Sequence, residues 1–432
     1  MSAPENKKLR PSRRGFLAAA GGLVAAAGTG LAVAAPLPEK RGMAPAHEDN
    51  RSLVEPFWGA HQSGITTPSQ RHTYFAAFDL TTAKRDDVVK TLKVWTEGAA
   101  RMTDGKPAVA ADYDAGASDG AVTGDSGDVL ELKPSRLTIT FGFGAGLFTK
   151  DGHDRYGLAA QRPEALIDLP RFNGDQLAPA RTGGDLSVQA CADDPQVAFH
   201  AVRQLARLTY GAAEIRWAQS GFSSDPGGGK TTRNLMGFKD GTQRPDALDQ
   251  VALLGSDQPA WLRGGSYLVV RRIRVALEHW DRMKLGFQEQ TMGRHKLSGA
   301  PLGLKHERDD LALERTDKDG NVVIPDNAHV RLANAVSNDG AQVLRRGYSY
   351  NDGVNFTAER WPPWRQGMEY DAGLLFICYQ RDPRTGFVKI FETMAKRDML
   401  NQFATHVGGG LFVCPGGARK GEFIGAALLE KT

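Results

Sequence analysis

Leu186-Ser187-Val188-Gln189-Ala190-Cys191, then Asp193-Asp194-Pro195, then Gln196–Leu208 read in turn as a β-strand, a helix-opening turn and a helix. The same order returns about 190 residues later: Leu374-Leu375-Phe376-Ile377-Cys378-Tyr379, Arg381-Asp382-Pro383, and a helix through Phe387–Ala395. Superposing the two Asp-Pro turns sets Asp194 opposite Asp382 and Cys191 nearly opposite Cys378. Each turn also has a strand and a helix upstream. In the first half these are Thr73–Leu80 and a helical stretch around Asp86–Ala99, with Leu137–Phe141 as a further strand; in the second they are Ser266–Val270 and a helical stretch near Leu277–Thr291. Two related α+β units follow, each an antiparallel sheet covered by helices on one face. Their expected bounds are 61–245 and 246–432.

Outward from the repeat, residues 36–60 are rich in Pro and charge and read as a linker, and the Gly/Asp/Ala segment 111–128 reads as a surface loop. Residues 1–35 carry Lys7, Lys8, Arg10, Arg13 and Arg14 against Glu5, then Gly15-Phe16-Leu17 and an Ala/Gly/Leu/Val run ending in Ala32-Val33-Ala34. This pattern is similar to a cleavable twin-arginine export signal, and so much Ala and Gly makes a poor membrane anchor. With the five bases and Glu5 set aside, the 54 basic and 50 acidic side chains of the chain balance. A neutral remainder gives no electrostatic reason to expect a nucleic-acid partner. Three widely spaced cysteines, Cys191, Cys378 and Cys414, argue against a disulfide framework, and with no CxxC there is no support for Cys-ligated zinc or covalent c-type haem.

Three segments carry candidate chemistry. Asn234–Thr242 sets Asp240 between Gly237 and Gly241, which permits a tight path and close approach of a flat ligand; taken alone it is an ordinary Asp-Gly turn. Asn327–Asn334 places His329 at the start of a short alternating run, and imidazole is the usual proximal ligand of a haem that reacts with peroxide. Val343–Tyr350 places Arg345 and Arg346 in a strand, where alternation sends them to opposite faces and leaves room beside Arg345 at Gly347. Nucleotide readings fail on spacing: Ser224 stands where the phosphate-loop glycine ahead of Gly229-Lys230-Thr231 belongs, and Gly142-x-Gly144-x-Gly146 misses the dinucleotide pattern. Cys414-Pro415, a formal thiolate candidate, fits a small buried residue better.

Together, these segments resemble the dye-decolourising peroxidases, in particular the exported deferrochelatase/peroxidase branch of bacterial iron uptake. Other shared stretches are Phe78-Asp79-Leu80, Thr138–Gly144, Gly264–Tyr267, Gly293-Arg294 and Ser298–Pro301. The resemblance implies two ferredoxin-like domains of the dimeric α/β-barrel-like superfamily, a non-covalent haem b held mainly in the second, and His329 as axial ligand. It implies Asp240 and Arg345 on the peroxide side, Arg294 pairing with a propionate, and Gly241-Thr242-Gln243 and Asn334-Ala335-Val336 lining the haem. Asp382 is the candidate acceptor for the His329 ring N–H. Where relatives often carry Asn two residues after the distal arginine, this chain has Gly347. Hydrogen peroxide, a reducing substrate, an iron permease and a second copy of the chain are the implied partners. Haem carriage with iron release, or peroxide-coupled oxidation of ferrous iron, are the alternative activities.

Overall fold

The structure, a computed structural model, describes residues 53–110, 124–242, 245, 247–358 and 366–430. The export-signal segment, most of the 111–128 loop and Gln243 lie outside the described residues.

Strands β1 (His72–Leu80), β2 (Thr138–Gly144), β3 (Leu186–Ala192) and β4 (Ala213–Phe222) come from the first half. Strands β5 (Ser266–Val275), β6 (Leu344–Arg345), β7 (Tyr348–Ala358), β8 (Gln366–Gln380) and β9 (Ala404–Cys414) come from the second. The first-half order is β4-β1-β3-β2 and the second-half order is β7-β8-β5-β9, every pairing antiparallel. The edges then meet: β2 pairs with β9 through Phe143 and Gly144, β4 pairs with β7 through Phe222 and Ser349, and the eight strands close into a ring. Short β6 joins β8 in line with β7, pairing Leu344 with Tyr379 and Arg345 with Cys378.

Ring closure corrects the picture of two sheets each covered on one face only. Helices cover the outside, but the inner faces of both half-sheets cover each other. Phe75, Trp217, Leu268, Val270, Tyr348, Leu375, Ile377, Tyr379, Phe412 and Cys414, drawn from strands all round the ring, fill one buried interior cluster. This is why β2 and β3 are buried at every position rather than at alternate ones. Burial drives the Cys414 thiol up, away from the thiolate a haem ligand would need.

The two Asp-Pro turns do the same local work. Asp194 caps the helix Pro195–Leu208 by accepting from Gln196 N and Val197 N, with proline at the first helical position. Asp382 accepts from Arg384 N at 2.8 Å at the head of a single π-turn, Arg384–Val388, that leads into the helix Lys389–Arg397. Alternation also separates the arginines: Arg345 is exposed while Arg346 is buried and donates to Thr67 O and Gln70 Oε1. Two local expectations change. The stretch near Leu277–Thr291 is two helices, Leu277–Trp280 and Leu285–Met292, and His329 opens a short helix, His329–Ala333, rather than an extended run.

Candidate haem site

His329 stands at the N-terminus of its short helix, directly beneath the end of the helix Leu285–Met292. That helix stops at Gly293, whose φ of 77° closes it in the left-handed conformation. A Cβ at Gly293 would come within 2.5 Å of Val330 Cγ1 and 3.3 Å of Ala328 Cβ, so only glycine lets the two segments pack this closely around His329.

The ring is oriented from behind. His329 Nδ1 lies 2.7 Å from Asp398 Oδ2, and Asp398 Oδ1 accepts from Leu400 N at 2.8 Å, capping the next turn. This carboxylate is 3% exposed. A proton on Nδ1 leaves Nε2 with its lone pair. Burial disfavours the imidazolium, but the charge and hydrogen bond of Asp398 outweigh it and raise the His329 pKa. Asp382 is therefore not the acceptor. Its carboxylate is taken by the Arg384 guanidinium, at 2.8 Å, and by the turn it caps. An Asp-Pro turn commits its carboxylate locally, whereas Asp398 follows its helix and has one oxygen left over.

His329 lies deep among protein atoms, yet a quarter of its side chain, 25%, is accessible, so the ring is not sealed in the packed core. Asp240 and Arg345 feel the same ring: Arg345 lowers its pKa and Asp240 raises it. Those two pair with each other, Arg345 Nη2 to Asp240 Oδ1 at 3.2 Å, both partly exposed. A pair so open to water adds little stability.

Asp240 sits on a small hairpin in which Arg233 bridges Lys239 and Asp240 N donates to Thr232 O. Arg233 ties the hairpin to the neighbouring loop through Lys296 O and Leu297 O. Arg294, buried, donates from Nη1 to Gly299 O at 2.7 Å and Glu307 O at 2.9 Å. Its Nε and Nη2 make no protein hydrogen bond among the described residues. Burial lowers the Arg294 pKa, Glu307 opposes this, and Arg345 adds to it, which puts Arg294 within electrostatic reach of the Asp240–Arg345 pair. Gly241 has φ 92°, and a Cβ there would meet nothing within 4 Å, so its backbone borders open space. Thr242 turns its hydroxyl to Glu307, 3.2 Å away. Asn334, Ala335 and Val336 follow the His329 helix in a turn closed by Asn334 Oδ1 on Val336 N, and the Val336 side chain is exposed. Two residues escaped sequence reasoning, Asp398 and Glu307. Asp398 carried only the weak signal of a capping aspartate before Met399-Leu400, and Glu307 carried none.

These donors suit haem: an imidazole with a free, oriented Nε2 for iron, an acid–arginine pair within electrostatic reach of it, a guanidinium with spare N–H groups for a propionate, and a bare backbone at Gly241. Residues 62–223 match the Dyp-type peroxidase N-terminal family model and residues 231–419 the C-terminal one. This chain belongs to the Dyp-type peroxidase family. It is a peroxidase, and haem is its cofactor. The chain is 36% identical to a dye-decolorizing peroxidase of Thermobifida fusca, covering 100% of both. It is 35% identical to the deferrochelatase of Escherichia coli K12, covering 99% of both. Among solved structures, ferric DtpA from Streptomyces lividans superposes with a TM-score of 0.77 at 41% identity, over 88% of this chain and 98% of that one. A Dyp-type peroxidase from Cellulomonas bogoriensis gives 0.76 at 38%, over 88% and 99%.

Proposed function

We propose that this peroxidase binds a haem b between His329, through Nε2, and the Asp240–Arg345 pair, and reduces hydrogen peroxide there at the expense of a one-electron donor. The carrying observation is that an imidazole fixed from behind by Asp398 is electrostatically coupled to an acid–arginine pair. Haem, when bound, would supply a redox-active iron able to take up the two oxidising equivalents of peroxide. Asp240 would take a proton from one peroxide oxygen and return it to the other, directly or through one water. Arg345 holds Asp240 in place and faces the negative charge that develops on the departing oxygen. Arg294 would neutralise a propionate with its spare N–H groups, Gly241, Thr242 and Asn334–Val336 would border the macrocycle, and Asp398 would make the imidazole a stronger donor. His329→Ala tests the reading: purified protein loses its Soret band and its peroxide-dependent dye oxidation. Retained haem with an unchanged spectrum overturns the ligand assignment.

The physiological setting we infer is iron supply in the cell envelope. It rests on the Arg13-Arg14 export pattern, and on a near-full-length similarity to deferrochelatases. Release of metal-free porphyrin from haem is the second reading, favoured by that similarity; porphyrin fluorescence after incubation with haem separates it from peroxide turnover. An iron permease as partner and a homodimer belong to the same proposal. So does the description of the chain as two ferredoxin-like domains, which the shared strand order of the two halves supports.

A further inference from the structure

Asp240 is held by a carboxylate from another loop. Glu307 accepts from Lys239 Nζ, immediately before Asp240, from Thr242 Oγ1, two residues after it, and from Thr231 Oγ1, next to Thr232, whose carbonyl takes the Asp240 N–H. Lys239 and Glu307 are only 20% and 17% exposed, so water replaces little of this pairing. Burial alone would raise the Glu307 pKa; the hydrogen bonds and charge from Lys239 and the two threonines hold it low instead, keeping it an ionised acceptor. The backbone of the same residue accepts from Arg294 Nη1. One residue thus ties both flanks of the acid and the candidate propionate arginine into a single unit.

We propose that Glu307 is a positioning residue for the peroxide step: it fixes Asp240 beside Arg345 and cancels the Lys239 charge next to it. The inference rests on the reading of Asp240 as the proton carrier. A proton carrier must lie within hydrogen-bond reach of peroxide, and displacement by about 1 Å costs on the order of 100-fold in rate. Glu307 touches neither iron nor peroxide in this scheme.

The test uses haem-loaded protein and stopped-flow absorbance, following the Soret change on mixing with hydrogen peroxide and, separately, the return on adding a reducing dye. Glu307→Ala is expected to slow the peroxide step at least about 10-fold while haem content and the reductant step stay within twofold. Glu307→Gln keeps an acceptor for the two threonines and releases Lys239; an intermediate rate is expected, and it carries the test where the alanine protein folds poorly. In an Asp240→Asn background, Glu307→Ala should add no further slowing. A slow Asp240→Asn protein with Glu307→Ala and Glu307→Gln both at the wild-type rate overturns the inference alone. The same follows if the Glu307 effect persists undiminished without Asp240. An Asp240→Asn protein as fast as wild type overturns the proton-carrier reading and this inference with it.

Discussion

Asp398→Asn separates the orienting carboxylate from everything else around His329. The amide is the same size, and its oxygen can still cap Leu400 N at 2.8 Å, but the charge that receives the His329 Nδ1–H at 2.7 Å is gone. Hydrogen bonds to an ionised acceptor are roughly twice as strong as neutral ones. At 3% exposure, no water is placed to compensate. Removing such a partner from a metal-bound imidazole typically costs about 10–100-fold in affinity, or about 1.4–2.7 kcal/mol. Transfer of haem to excess apomyoglobin should therefore run about 10–100-fold faster from the variant. The ferric/ferrous midpoint potential should move positive, because a less electron-rich imidazole stabilises the ferric ion less. Asp382→Asn is the matched control and should change neither quantity, since its carboxylate serves Arg384. Wild-type haem transfer and potential in Asp398→Asn, or a larger effect from Asp382→Asn, would refute the assignment.

Arg345→Leu should slow the peroxide step by about 100- to 1000-fold, the cost of losing one donor aimed at developing charge, with the Soret band retained; a rate within threefold of wild type would leave Arg345 without that role. Gly293→Ala puts a methyl 2.5 Å from Val330 Cγ1 on a backbone at φ 77°, and should cost about 1–3 kcal/mol in thermal or urea unfolding, with weaker haem retention because Ala328 and Val330 flank the ligand. An unchanged unfolding midpoint would show that the contact relaxes freely. His406, partly buried and near Arg271, has its pKa pushed down to about 3, mainly by desolvation. Its folded value lies below the ordinary 6.5, so between those limits the unfolded chain binds the extra proton, and the contribution, complete above pH 6.5, is lost as pH falls. From pH 6.5 to 5 that is a loss of about 2 kcal/mol. His406→Phe should flatten the pH dependence of urea stability by about that amount, and an unaltered pH slope would count against it.

Much of this was written locally. Strand, Asp-Pro turn and helix recur in both halves because each element announces itself within a few residues, and the two capping aspartates behave alike. The separation of Arg345 from Arg346 follows from strand alternation alone. What escaped depends on distance in sequence. Ring closure turns on Phe143, Gly144 and Phe222 finding partners in the other half, and no local pattern records that. Asp398 is 69 residues from His329, while Asp382 carried the stronger local signal and was mistaken for the partner on that account. Glu307 lies 65 to 76 residues from the hydroxyls it receives, in a loop with no periodicity to mark it.

The ring is stitched unevenly. Within each half the strands share long ladders, eight aligned pairs between β5 and β8 alone, but the halves join through two pairs at one seam and one at the other. Every side chain assigned to iron, peroxide or propionate lies from Asp240 onward. The first four strands are therefore a buttress: they keep the inner face of the facing half-sheet dry, and the loop ahead of β3 brings Asp175 to Arg271 and Gln176 and Ala178 to the β9 backbone. Slow breathing of the molecule should begin at the two seams, so that amide protons there exchange before those around His329.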